Sequence, residues 1–313
     1  MSARYDTLDG LRGIAAVAVM LLHSAELTMK LSAPGVDAAV DFFFLLSGFV
    51  LSAAYAAPGP SYVVARVIRL YPMTLFGVAL GAVLLLSTGI SGAWGVVLTF
   101  NLLGLPHPTV GYAFDHSLWS IAVEGELSIA FLLLARLPRV ALVAAVVALV
   151  FVAPAQDYRM GLFAFVRGAL PFTTGVLLHR LFPARRGNEF MAIGSAGALI
   201  VLLLVPYLAR VPAAQTALFS LVLIAGRAEP PKFLMAPAVY LGRLSYPLYA
   251  VHWPIGWWMS RHAPAGIPSV LITIAASVVV AHLAMIFFDE PVRKWLMRRI
   301  MPMFGSRPRG VIA

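Results

Sequence analysis

Cysteine is absent from the 313 residues. That excludes a disulfide framework and thiolate catalysis, and it leaves the compartment unreadable from redox chemistry. Charge is scarce as well: Asp, Glu, Lys and Arg make up 12% of the chain against 61% hydrophobic residues, with a mean hydropathy of +0.90. A soluble domain of this length could not cover so much apolar surface, so the composition gives a polytopic membrane protein. Short alternating segments are missing; the runs are continuous, which argues for helices and against a β-barrel. There is no G-x-S-x-G elbow, H-E-x-x-H or Walker motif, and no Asp/His cluster with convincing ligand spacing, so no metal is expected. The first apolar run lacks a small-residue cleavage site and reads as a span rather than a signal peptide. Without a soluble insert, low-complexity segment or internal repeat, residues 1–313 read as one domain with a basic tail from about 292. The expected fold is all-α.

Apolar runs long enough to cross a bilayer lie near 9–29, 37–57, 71–91, 118–135, 139–155, 161–182, 190–208, 212–227, 236–259 and 266–288. Ala93 to Leu105 is shorter and broken by Gly and Asn, and reads as an interfacial or re-entrant excursion. Ten spans with both termini cytoplasmic put most of the 23 Lys and Arg residues on the inner side. Only Lys30, Arg159, Arg210 and Arg261 fall outside, and Arg167 and Arg243 fall within spans. An eleventh span would invert the Arg136/Arg139 and Arg180/Arg185/Arg186 clusters against the positive-inside rule. The net charge of +10 is therefore topological and faces membrane lipids, with no nucleic-acid partner. Pro291 is expected to end the last span.

The first span, Leu8 to His23, carries Arg12 near its start and His23 deep inside. Eleven residues return almost to one azimuth of an α-helix, so the two share a stripe about 16 Å apart along the axis. Ionisable groups inside spans default to function and face the bundle interior. On the expected topology His23, Asp41, Glu124 and His252 reach a similar depth in the outer half, with Trp119 and Ser120 one turn from Glu124. Glu124 is the carboxylate expected to fix the His23 tautomer and steady its imidazolium. Arg66 and Arg69, three apart on the second cytoplasmic loop, join Arg12 as cations suited to a polyanion; the guanidinium fork matches phosphate. His282 and His179 read as packing residues, and Arg167 and Arg243 as pairing within the bundle or snorkelling.

Six blocks in order resemble the acyltransferase family 3 membrane proteins: Leu8-Asp9-Gly10-Leu11-Arg12-Gly13 with His23; Val40-Asp41-Phe42-Phe43-Phe44-Leu45-Leu46-Ser47-Gly48-Phe49; Arg66-x-x-Arg69-x-Tyr71-Pro72; Ser117-Leu118-Trp119-Ser120 with Glu124; Leu241-Gly242-Arg243-Leu244-Ser245-Tyr246 running into His252-Trp253-Pro254; and Glu290-Pro291-Val292-Arg293. They run from residue 8 to 293. The resemblance implies an inner-membrane O-acyltransferase, moving an acyl group, commonly acetyl, from cytoplasmic acyl-CoA to a hydroxyl of a carbohydrate or glycoconjugate. It implies His23 as the catalytic histidine, Arg12 as its partner, Glu124 as the acidic residue, and Arg66 and Arg69 on the CoA phosphates. Asp41, Trp119, Ser120 and His252 are expected toward the acceptor. The resemblance also leaves room for a second copy of the chain or polysaccharide-assembly proteins as partners. Val123-Glu124-Gly125-Glu126 departs from the family pattern in carrying a second glutamate. In the mechanism expected, His23 removes the acceptor's hydroxyl proton as it attacks the thioester; an acyl-histidine intermediate is the alternative. A transporter or lipid-sugar flippase using the same buried charges is the rival function, and a non-catalytic scaffold in polysaccharide assembly is a second.

Overall fold

The computed structural model describes residues 5–31, 36–88, 94–106, 108–153, 161–184, 187–205 and 211–304. Arg159, Arg185, Arg186, Arg210 and the tail arginines Arg307 and Arg309, used in the topology argument, lie outside the described residues. Each expected span has a helix: α1 (Asp6–Met29), α2 (Val36–Ala54), α3 (Pro60–Ser87), α5 (Leu118–Leu134), α6 (Arg139–Val152), α7 (Gly161–Leu181), α8 (Glu189–Leu204), α9 (Pro212–Ala225), α10 (Lys232–His262) and α11 (Ile267–Ala284). Within the Ala93–Leu105 excursion lies α4 (Trp94–Leu102), whose nine residues rise only about 14 Å and cannot cross a bilayer. Asp6–Met29, Pro60–Ser87, Leu162–Leu181 and Ile267–Phe304 are long and apolar enough to span; α2, α6, α8 and α9 are shorter apolar helices.

Two boundaries differ from expectation, both at proline. Helix α3 begins at Pro60, with extended Gly59 before it, because proline's fixed φ suits the first helical turn. Arg66 and Arg69 consequently ride on α3 itself, not on a loop. Pro291 does not end the last helix. A π-helical turn, Met285–Asp289, precedes it, with the Glu290 N–H reaching back to Met285 O, and α12 (Glu290–Ile300) continues the rod. The wider turn absorbs the register change where proline has no N–H to give. Arg243 and Arg293 brace this junction through ion pairs to Glu290 (2.7 Å) and Asp289 (2.8 Å).

Helices α1 and α10 run parallel and nearly touch. A side chain on Gly13 would strike Leu241, one on Gly10 would lie 3.0 Å from Ala238 Cβ, and Gly256 faces Leu27 further along. Small residues at such a seam let two backbones approach, the usual basis of tight packing in lipid. The same device joins α2 to α7, where Gly48 lies on Phe172 and Gly175 on Leu45. The α1–α10 seam matters most here, because it carries His23 to His252.

Candidate functional site

His23 and His252 meet along that seam, both buried. Nδ1 of His23 lies 2.9 Å from Nε2 of His252, and Nδ1 of His252 lies 2.8 Å from the Tyr249 carbonyl oxygen. A carbonyl only accepts, so His252 Nδ1 must carry the hydrogen and donate it. In the neutral ring Nε2 is then an acceptor, which obliges His23 to donate from its own Nδ1. The tautomer of His23 follows: its Nε2 is the basic nitrogen. Trp253 packs edge-to-face on His23 at 4.9 Å, and the His116 ring lies 4.9 Å from the Trp253 ring.

Glu124 does not hold His23. Its Oε1 accepts from Arg66 Nη2 at 2.6 Å and from Ser47 Oγ at 2.9 Å, while Arg66 Nε also donates to Ser128 Oγ. Placing Arg66 on α3 brings a guanidinium opposite α5, and a carboxylate out of water pairs with the nearest cation before a neutral ring. Asp41 is likewise corrected as a member of the histidine layer. It forms a two-pronged pair with Arg167 (3.1 and 3.0 Å) and accepts from Gln215, and Arg167 lies 5.5 Å over the Trp119 ring. Asp41 and Trp119 thus belong to one buried knot among α2, α5, α7 and α9.

The cationic layer converges. Arg12, Arg66 and Arg69 line one cavity, together with Glu124, Ser47, Ser120, Tyr246 and Tyr249. Arg12 also has a 3.6 Å pair with Asp9 one turn below. Ser120 and Tyr249 share a hydrogen bond of 2.7 Å, and the Tyr249 ring packs 5.4 Å from that of His252. The histidine pair therefore lies one side chain beyond the cavity wall. Glu126 faces away, into a separate apolar groove between α3 and α5. The remaining expectations find partners too: Arg243 pairs with Glu290, His282 with Tyr240 OH at 2.9 Å, and His179 with Ser52 Oγ at 3.2 Å.

Sequence reasoning passed over Tyr249, Ser47, His116 and Asp115. Ser47 stands inside a block already quoted and Tyr249 between two of them, but a hydroxyl is a weaker sign of chemistry in a span than a charged group. Asp115 and His116 adjoin the Trp-Ser block, and an acid in the apolar run Tyr112-Ala113-Phe114-Asp115 was the available signal.

The acyltransferase-domain family profile matches residues 5–289. A stretch of 113 residues, 34% of the chain, is 34% identical to "Protein 2 in picA locus" of Rhizobium radiobacter and covers 52% of it. The chain thus spans about half the length of that curated relative. No solved structure matches.

Proposed function

The chain belongs to the acyltransferase 3 family, and from that premise we propose that it transfers an acyl group, acetyl foremost, from acyl-CoA to a carbohydrate hydroxyl. The observation carrying this reading is the hydrogen-bond chain from Tyr249 O through His252 to His23. It supports a role for Nε2 of His23 as a base, since the ring is held in one tautomer by a neighbour that is itself anchored to the backbone. General-base catalysis needs both features, geometry first and basicity second. A transporter's proton relay needs neither a fixed tautomer nor three guanidinia lining one cavity.

In the proposed reaction the acceptor's hydroxyl gives its proton to His23 Nε2 as its oxygen attacks the thioester carbonyl. The tetrahedral adduct collapses, the C–S bond breaks, and the CoA thiolate recovers the proton from the imidazolium. His252 supports the imidazolium by accepting from Nδ1. Arg12, Arg66 and Arg69 supply positive charge for the donor's phosphates, arginine being the side chain suited to that geometry. The reading keeps ten spans, cytoplasmic termini and a bacterial inner membrane, so donor and acceptor approach from opposite faces. Tyr249 stands between cavity and histidines, and acyl-CoA must displace it to reach the base.

Purified protein in detergent should turn over acetyl-CoA, and His23→Ala should abolish the turnover while preserving the elution profile of a folded monodisperse protein. Mass spectrometry of surface glycans from cells with and without the protein should show one acyl ester missing. Intact turnover in His23→Ala would remove the reading.

A further inference from the structure

Asp115, in the loop before α5, is fully buried. Its Oδ1 accepts from Ser117 N at 3.0 Å and from Ser117 Oγ at 2.5 Å. Among the described residues its buried Oδ2 has no hydrogen-bond partner. A buried carboxylate normally holds a cation or several donors, and among the described residues no ion pair includes Asp115.

The surroundings of Oδ2 indicate what it is for. A Cβ built on Gly77 of α3 would lie 3.0 Å from Asp115 Oδ2 and 2.5 Å from the carbonyl oxygen of Ala250 on α10. The two oxygens thus flank one small space that Gly77 leaves open. Ala250 O is special in its helix: the residue four positions on is Pro254, inside α10, and proline has no N–H to donate to it. An acceptor deprived of its usual i+4 donor therefore sits near a carboxyl oxygen that has no partner among the described residues. Two bare acceptors would repel, whereas a hydrogen on Oδ2 lets the pair bond directly or through one water.

We propose that Asp115 works as a neutral carboxylic acid, a positioning residue whose Oδ2–H serves the Ala250 carbonyl and clamps the proline-broken turn of α10 that carries His252. The inference rests on the reading of His23 as the base, because it gives that turn its purpose. Ser117 Oγ gives its one hydrogen to Asp115 Oδ1 at 2.5 Å and lies 3.2 Å from the Tyr249 carbonyl, the oxygen that accepts from His252. Asp115 thus also holds Ser117 against the turn immediately before the histidine. Burial raises its pKa to about 7, so the acid form is substantially populated at neutral pH. Among the described residues no charged group bears on its titration: its own loop presents Ser117, α3 presents Gly77 and α10 the Ala250 carbonyl.

The sign of the pH effect follows. The neutral form makes the clamp, so raising the pH through about 7 ionises Asp115 and loosens it; activity then falls on the alkaline side. The base His23 gives the opposite limb, gaining activity as it deprotonates. Asp115→Asn keeps an acceptor at Oδ1 and an N–H donor at the Oδ2 position, with nothing left to ionise. The test combines kinetics and infrared spectroscopy of the full-length protein. Asp115→Ala should lower kcat about tenfold or more with KM for acetyl-CoA changed less than about twofold. Asp115→Asn should stay within about threefold of the natural protein at pH 7 and lose the alkaline limb only. The natural protein should show the C=O stretch of a buried protonated carboxyl that Asp115→Asn lacks and that fades at alkaline pH. Missing infrared signal, or an Asp115→Asn variant as impaired as Asp115→Ala, overturns the proposal. Because the infrared readout needs no turnover, an inactive natural protein would refute the acyltransferase reading while the clamp is still judged.

Discussion

His23 and His252 stand 229 positions apart in sequence and share one hydrogen bond of 2.9 Å, with their ring planes nearly parallel. The bond exists because two parallel helices, α1 and α10, press together on glycine. It fixes which nitrogen of His23 is basic, and so converts a packing seam into an orientation device.

That relation predicts the behaviour of His252→Ala. With its Nδ1 partner gone, the His23 ring is released to either tautomer and to rotation, so kcat should fall by about 10²-fold, the usual scale of a general-base contribution. KM for acyl-CoA should stay unchanged, since His252 is not in the wall of the arginine cavity. Steady-state kinetics of the purified variant check this; a rise in KM with unaltered kcat would place His252 on substrate instead.

The cations should separate from the base in the same assay. Arg69→Ala removes a donor-facing charge and should raise KM for acyl-CoA about tenfold, the scale of one charge-assisted hydrogen bond, with kcat nearly unchanged. Glu124→Ala should act differently. It strips the 2.6 Å partner from Arg66 and leaves that guanidinium unpaired, which costs about 2 kcal/mol at this partly solvated site. Thermal unfolding in detergent beside kinetics distinguishes the two effects.

The seam itself can be tested. A side chain at Gly13 would strike Leu241, and forcing one in overpacks the interface by about 1–3 kcal/mol. Gly13→Leu should therefore lower the unfolding temperature and reduce kcat together, since the shifted helix takes His23 away from His252. Gly194→Leu on α8, where an added Cβ meets nothing within 4 Å, is the matched control and should leave both intact.

Much of this was legible in the chain. Continuous apolar runs located α1 to α3 and α5 to α11, because in lipid a segment must satisfy its own backbone. Topological depth put His23 and His252 at one level, and the eleven-residue spacing aligned Arg12 with His23. Pairing was not legible. Glu124 looked like the partner of His23 by depth alone, but the choice belonged to α3, whose start at Pro60 carried Arg66 within 2.6 Å. Proline also misled at Pro291, where a π turn let the helix continue. Asp41 was read as acceptor-facing because an isolated acid in a span suggests chemistry; its partner Arg167 lies 126 positions away, on a helix whose contact with α2 depends on Gly48 and Gly175.

That last pair separates structure from substrate binding most cleanly. Asp41 and Arg167 are both buried and joined by two hydrogen bonds, so removing one partner strands a charge in a low-dielectric interior. Asp41→Ala should cost about 3–5 kcal/mol, seen as reduced yield and a lower unfolding temperature. Replacing both partners, Asp41→Leu with Arg167→Met, removes the stranded charge and should recover most of that loss, as apolar substitutes for buried ion pairs do. A residue that bound acceptor would behave in reverse: the single variant would fold normally and raise KM for the acceptor, and the double variant would recover nothing. Unfolding temperatures of the two variants, measured beside acceptor kinetics, decide between these outcomes, and the two-pronged geometry predicts the first.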